Sequence, residues 1–187
     1  MPDEILIPPS WFEPGAPRIE VDFGCHRGTF LVGMAERYPE VNFLGIEKQA
    51  ARVEKCLGKI RRRGLTNALA VQGEGTGALA QWLPEQSVAV VHVSFPDPWP
   101  KRRHASRRLL NRDFLHAIER ALVAGGVLRL MTDDRAYFSE MENLLAGGWE
   151  ECPWDDGFER PATAFEKTFL ELGRHPHCRA SRPLTRR

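Results

Sequence analysis

The run Ser94-Phe95-Pro96-Asp97-Pro98-Trp99-Pro100-Lys101-Arg102-Arg103-His104 holds the densest chemistry in the chain. It follows Val88-Ala89-Val90-Val91-His92-Val93, a stretch that reads as a buried strand. One carboxylate, Asp97, sits between two prolines at that strand's end, an indole follows, and five Lys or Arg fall within residues 101–108. Proline presets φ, so the acid and the ring are held in place rather than floppy. Cations just beyond them suit a polyanion. A fixed acid and a stacking ring beside a phosphate-binding patch suit an enzyme that acts on a base within a nucleic acid. Arg102, Arg103, Arg107 and Arg108 are the candidate phosphate contacts, with a solvated basic loop as the plain alternative.

Such side chains need a scaffold that gathers strand ends. Residues 18–23 read as a first strand, followed by a turn bounded by Gly24 and Gly28 and a helix over 29–38 that Pro39 stops. A second strand over 41–46 ends at Glu47. A helix over 50–63 carries Val53, Leu57 and Ile60 on one face and stops at Gly64. A short strand over 67–71 leads through Gly73-Glu74-Gly75 to a short helix, then to the strand before the proline loop. Asn111 can cap a helix with Phe114, Leu115, Ile118, Ala121 and Leu122 inward. Gly125-Gly126 turns into a strand over 127–131, and Thr132-Asp133-Asp134 opens a helix with Tyr137, Met141, Leu144 and Leu145 inward. Trp149 begins a short strand, and residues 165–172 alternate like a last one. An irregular arm over 1–17, packed by Trp11 and Phe12, precedes the domain over 18–173, and a basic tail over 174–187 follows it. Alternating strands and helices predict an α/β fold, a parallel sheet covered on both faces, with ligands beyond the carboxyl ends of the strands. Asp22, Glu47, Glu74, Asp97 and Asp133 all fall there.

At 187 residues, with 42% hydrophobic and 27% charged side chains, the chain fits one soluble domain with a sizeable core. The net charge of +1 says nothing about nucleic acid; the local basic blocks do. Cys25, Cys56, Cys152 and Cys178 form no C-x-x-C pair, which predicts reduced thiols and a cytoplasmic protein. The longest apolar run is too short for a bilayer, and no leader pattern opens the chain, so neither a membrane nor export is expected. His175, His177 and Cys178 cluster without further ligands at metal spacing, so no metal is expected.

The turn Asp22-Phe23-Gly24-Cys25-His26-Arg27-Gly28 lets backbone approach a ligand, but it lacks the G-x-G-x-x-G pattern of a dinucleotide turn. Glu47, nineteen residues after Gly28, can accept from both ribose hydroxyls of a nucleoside cofactor, or serve as an acid at a helix N-terminus. Glu74 can meet an adenine amino group or stand as a loop acid. Together these residues resemble a class I S-adenosylmethionine-dependent methyltransferase. The proline loop with Arg107-Arg108-Leu109, Thr132-Asp133 followed by Tyr137, and Thr163-Ala164-Phe165-Glu166 narrows this. In that order they resemble the motifs of the bacterial tRNA (guanine-N7-)-methyltransferase family.

The resemblance implies a Rossmann-like, mostly parallel seven-stranded sheet with helices on both faces, the cofactor S-adenosylmethionine, and tRNA as partner. It implies cofactor contacts at Asp22, Gly24, Gly28, Glu47, Glu74 and Asp97, and substrate contacts at Asp97, Lys101, Asp133, Thr163, Ala164, Phe165 and Glu166. It also implies methylation of a variable-loop guanine. Three residues depart from the family pattern: Asp22 for Glu, His26 for Gly and Glu74 for Asp. Guanine N7 already carries a lone pair, so alignment matters more than a strong base. Asp97 would stabilise the positive charge gained by the purine, Asp133 would orient its Watson–Crick edge, and Trp99 or Phe165 would stack on it. Two other readings stay open: the same fold with another substrate, and an RNA-binding relative without turnover.

Overall fold

Five apolar segments form the parallel part of a seven-stranded sheet in the order β3-β2-β1-β4-β5-β7-β6. The computed structural model describes residues 7–184, apart from the side chains of Arg102, Ala105 and Ala164. Strands β1 (Ile19–Phe23), β2 (Asn42–Glu47) and β3 (Ala68–Gln72) step outward on one side. Strand β4 (Val88–Ser94) returns to the other side of β1, and β5 (Leu122–Thr132) adds beyond it. Asp22 is level with His92 and Phe23 with Val93, so the turn after β1 and the proline loop after β4 leave the sheet side by side. That reversal of strand order opens a crevice at the carboxyl ends.

Helices α1 (Thr29–Arg37) and α2 (Ala50–Arg63) cover one face, over a cluster that includes Leu31, Met34, Phe43, Val53 and Ile60. Helices α3 (Gly75–Trp82), α4 (Arg112–Ala121) and α5 (Arg135–Leu145) cover the other, around Leu44, Val91, Phe114, Ile118, Leu128 and Met141. Asn111 caps α4 as expected, accepting from the Phe114 N–H at 2.9 Å. Trp11 is buried and Phe12 packs against the same cluster, so the described part of the arm, residues 7–17, is docked by its aromatics.

Three expectations fail. Helix α4 stops at Ala121, and Leu122 and Gly125-Gly126, expected on the helix face and in a turn, already belong to β5. Residues 165–172 are not a strand but most of helix α6 (Ala164–Glu171). Thr163 and Glu166 form a reciprocal capping box, with the Glu166 N–H donating to Thr163 Oγ1 at 3.0 Å and the Thr163 N–H to Glu166 Oε2 at 3.1 Å. That start signal outweighs the alternation that suggested a strand. The last two strands are β6 (Trp149–Cys152) and β7 (His177–Pro183), the latter antiparallel to both β5 and β6. The residues expected as a basic tail therefore close the sheet, and Arg179 is met by Glu142 at 3.5 Å and Glu151 at 3.4 Å.

The loop between β6 and α6 is pinned to the sheet by charge. Buried Arg129 of β5 reaches Asp156 at 3.3 Å and the Trp154 carbonyl, and Arg160 holds Asp156 at 2.7 Å. Burial alone would raise the Asp156 pKa, but the bonds from Arg160 and the field of Arg129 hold it at about 2. This clamp delivers Thr163 and Phe165 to the crevice.

Gly28 shows how tightly the first turn is packed. Its φ is +68°, it caps α1, and a Cβ added there would lie 2.1 Å from Cys56 Sγ on α2. Gly28→Ala should cost about 2–5 kcal/mol in urea denaturation, from ~1–2 for left-handed backbone and ~1–3 for overpacking. Adding Cys56→Ala should recover the overpacking part. A neutral Gly28→Ala would contradict this packing.

Candidate functional site

A cavity of about 560 Å³ fills the crevice between β1 and β4, within the roughly 300–1,000 Å³ of small-molecule sites. Its walls come from five places: Asp22, Gly24 and His26 at the end of β1 and in its turn; Glu47 and Lys48 at the end of β2; Glu74 after β3; Phe95, Asp97 and Trp99 after β4; and Thr163 and Phe165 at the start of α6. Arg107 and Arg108 close one side.

Asp22 is buried on the cavity floor and makes no hydrogen bond among the described residues. Burial, and then the adjacent Glu47 carboxylate, push its pKa up to about 7. A buried carboxyl without a donor suits a cationic ligand group. Glu47 is also buried, and it shapes the turn: Oε2 accepts the His26 N–H at 3.1 Å and Oε1 the Gln49 N–H at 3.0 Å, with Arg52 at 3.6 Å. A carboxylate has about four acceptor positions, so lone pairs remain for a ligand. Gly24 has φ +85° and open space where a side chain would stand, which leaves room for a ligand against the backbone.

His26 keeps the left-handed backbone, at φ 53°, that suits the glycine of related turns. Its imidazole lies edge-on to Phe165, ring centres 6.3 Å apart at 72°, and the cavity keeps its volume with the ring in place. Burial, followed by the fields of Arg52, Arg27 and Lys59, lowers the imidazole's pKa despite Glu47.

The proline loop is rigid for more reasons than its prolines. Phe95 and Trp99 have φ of 52° and 41°, each costing about 1–3 kcal/mol for a non-glycine residue. Contacts from neighbouring elements hold them. The Phe95 N–H donates to the Met131 carbonyl at 2.7 Å, and its ring stacks on Phe169 at 5.7 Å. Arg108 donates to the Pro98 carbonyl at 2.8 Å and the Trp99 carbonyl at 3.3 Å, pairs with Glu140, and lies over the Tyr137 ring at 5.2 Å. The expected phosphate contact at Arg108 is thus an inward strut. Arg107 instead lies 5.1 Å over the Trp99 ring, on the cavity's rim.

Lys48 escaped the sequence reading. Its Nζ lies 3.6 Å from Asp97 and 3.9 Å from Glu74, two carboxylates that are otherwise 68% and 74% exposed. It ties the ends of β2, β3 and β4 together. Its place one residue after Glu47 was the only local signal.

Asp22, Gly24, Glu47, Glu74, Asp97, Thr163, Phe165, Arg107 and Arg108 are therefore brought to one cavity. Five other expected residues lie outside its wall. Gly28 sits behind the turn as the cap of α1, and Glu166 is engaged in its capping box. Lys101, Arg103 and Asp133 are exposed nearby in sequence. The side chains of Arg102 and Ala164 lie outside the described residues.

A family model described as a putative methyltransferase matches residues 17–178. A tRNA (guanine-N(7)-)-methyltransferase of Leifsonia xyli subsp. xyli is 38% identical over 179 residues, covering 90% of this chain and 77% of that protein. One of Aliivibrio fischeri is 35% identical over 162 residues, covering 83% and 67%. Among solved structures, the aminoglycoside resistance methyltransferase NpmB1 aligns with a TM-score of 0.63 at 20% identity, covering 91% of this chain and 89% of that one. The structural likeness speaks for the Rossmann-like methyltransferase fold, and the sequence likeness goes further: this chain belongs to the tRNA (guanine-N7-)-methyltransferase family.

Proposed function

We infer that this chain transfers the methyl group of S-adenosylmethionine to N7 of a guanine in tRNA. The observation that carries the reading is the ring of carboxylates from four strand ends, Asp22, Glu47, Glu74 and Asp97, around one cavity rimmed by Trp99, Phe165 and Arg107. Bound there, S-adenosylmethionine would supply an electrophilic methyl on sulfur. Asp22 takes its ammonium group, Glu47 its ribose hydroxyls and Glu74 its adenine amino group. Phe165, Trp99 and the strained proline loop hold the guanine in line, and Asp97 faces the positive charge that grows on the purine. Thr163 and Glu166 fix the start of the helix that presents Phe165. Asp133 meets the guanine's Watson–Crick edge, and Lys101, Arg103 and Arg107 hold phosphates. The guanine is that of the variable loop, and the protein works in the cytoplasm; among the described residues no helix is long and apolar enough to cross a membrane.

The test is transfer of a labelled methyl from S-adenosylmethionine to unmodified tRNA, run beside a panel of small-molecule acceptors. Label in tRNA alone is expected. Label only in small acceptors would move the reading to another substrate, and absence of cofactor binding at millimolar concentration would move it to an RNA-binding protein without turnover.

Asp22 makes a pH prediction. Its carboxyl binds a proton in the folded state up to about pH 7, so it must be deprotonated to receive an ammonium group. Calorimetric affinity for S-adenosylmethionine should rise as pH increases from about 5.5 to 7, by up to about tenfold per unit, and level off above. The same raised value means that stability falls as pH rises across that window, since the folded state binds the extra proton. Asp22→Asn should flatten the affinity profile. A wild-type profile flat below pH 7 would contradict the assignment.

A further inference from the structure

Two basic segments lie beside the cavity, and only one is the proline loop. Helix α2 carries six Lys or Arg and one Glu, and residues 101–108 carry five Lys or Arg and no acid. Together they hold eleven of the 26 Lys and Arg and one of the 25 Asp and Glu, so the rest of the chain has an excess of nine acids. Arg61, Arg62 and Arg63 lie in the last turn of α2, where the helix dipole favours cations. The dipole does not account for the earlier cations. Arg52, Lys55 and Lys59 are spaced three and four residues apart and share one face. Lys55 and Lys59 form a like-charged i, i+4 pair, which by itself destabilises a helix by about 0.2–0.5 kcal/mol.

That face turns toward the cavity mouth. Arg52 lines the cavity, and Lys59 Nζ donates to Thr29 Oγ1 at 3.2 Å, at the start of α1 beside exposed Arg27. Arg52 is answered by Glu47, while Arg27 and Lys55 have no ion-pair partner among the described residues. Gly28 rests on Cys56, so Lys55 and Lys59 flank the contact between α2 and the turn. The cations meet the cavity from the β2 side of β1, and the residue 101–108 patch meets it from the β4 side.

We propose that Arg27, Lys55 and Lys59 form a second phosphate-binding surface for RNA, on the lip of the cavity opposite Arg103 and Arg107. A strand crossing the mouth then has phosphates gripped on both sides of the nucleotide that enters. The proposal rests on the tRNA reading above and goes beyond it by naming the second surface. Each phosphate contact contributes about 0.7–0.9 to the slope of log affinity against log salt. A strand held on both sides also resists sliding out of the cavity when the base turns over.

The test measures binding of labelled, unmodified tRNA by fluorescence anisotropy from about 50 to 200 mM salt. Lys55→Gln/Lys59→Gln is compared with Arg103→Gln/Arg107→Gln and the parent, with calorimetric cofactor affinity as a check on folding. A glutamine at position 59 can still donate to Thr29. The expected result is a salt slope reduced by about 1.4–1.8 in the α2 pair, with cofactor affinity unchanged. An unchanged slope in the α2 pair, with a reduced slope in the Arg103/Arg107 pair, overturns the second surface and leaves the tRNA reading standing. A parent protein that does not bind tRNA overturns both.

Discussion

Replacing Asp97 by asparagine is expected to lower methyl transfer by about 10²–10³-fold, the size seen on removing one preorganised group that faces developing charge. The substitution is nearly isosteric. Asp97 is 68% exposed, and among the described residues its charge partner is Lys48 at 3.6 Å. Exposed pairs of this kind contribute only ~0–1 kcal/mol, so the melting temperature should move little. The loop's geometry comes from Phe95, Trp99 and Arg108 rather than from this carboxylate, so the backbone should survive the change. Single-turnover rates with saturating tRNA and cofactor isolate the chemical step. Near-normal rates in Asp97→Asn would mean that alignment alone supplies the catalysis, and the electrostatic role would be withdrawn.

Arg108→Ala is expected to damage both stability and rate. The guanidinium donates to two loop carbonyls, pairs with Glu140 and covers Tyr137. Charged hydrogen bonds are worth about 1.5–3 kcal/mol each, so a loss of about 3–6 kcal/mol in denaturation is the expected scale. Without the strut, Trp99 has little to hold its left-handed backbone, and the neighbouring Asp97 loses its fixed place. A displacement of 1 Å can cost about 10²-fold in rate. Glu140→Gln breaks only the half-exposed ion pair and should cost no more than about 1 kcal/mol. An Arg108 that served tRNA phosphates instead would behave differently: the salt slope of binding would fall by about 0.7–0.9 while the rate at saturating tRNA stayed normal. That pattern would restore the role first expected from the sequence.

The contrast between Arg107 and Arg108 marks where local sequence stops being informative. Both sit in one basic run, and composition cannot say which turns inward; the answer lies in Glu140 and Tyr137, about thirty residues on. Strand β7 is a similar case. Its histidine and arginines read as a basic tail, because the acids that meet Arg179 belong to α5 and β6. Helix α6 is different, since Thr163-x-x-Glu166 was a legible capping box that the alternation of residues 165–172 obscured. The parallel strands were legible because apolar runs ending at an acid or a glycine turn mark both an element and its functional end. Glu47 and Asp22 are therefore legible in the sequence as strand-end acids. Their burial, and the pKa of Asp22 near 7, depend on packing of β1 against β2 and are not.

The methylated atom identifies the reaction most directly. Unmodified tRNA treated with the enzyme and S-adenosylmethionine can be reduced and then cleaved with aniline, which breaks the chain at N7-methylguanosine. Cleavage at one guanine, in the variable loop, dependent on enzyme and cofactor, and lost with Asp97→Asn, is the predicted result. Methyl label incorporated without aniline-sensitive cleavage would place the methyl on another atom and contradict the account.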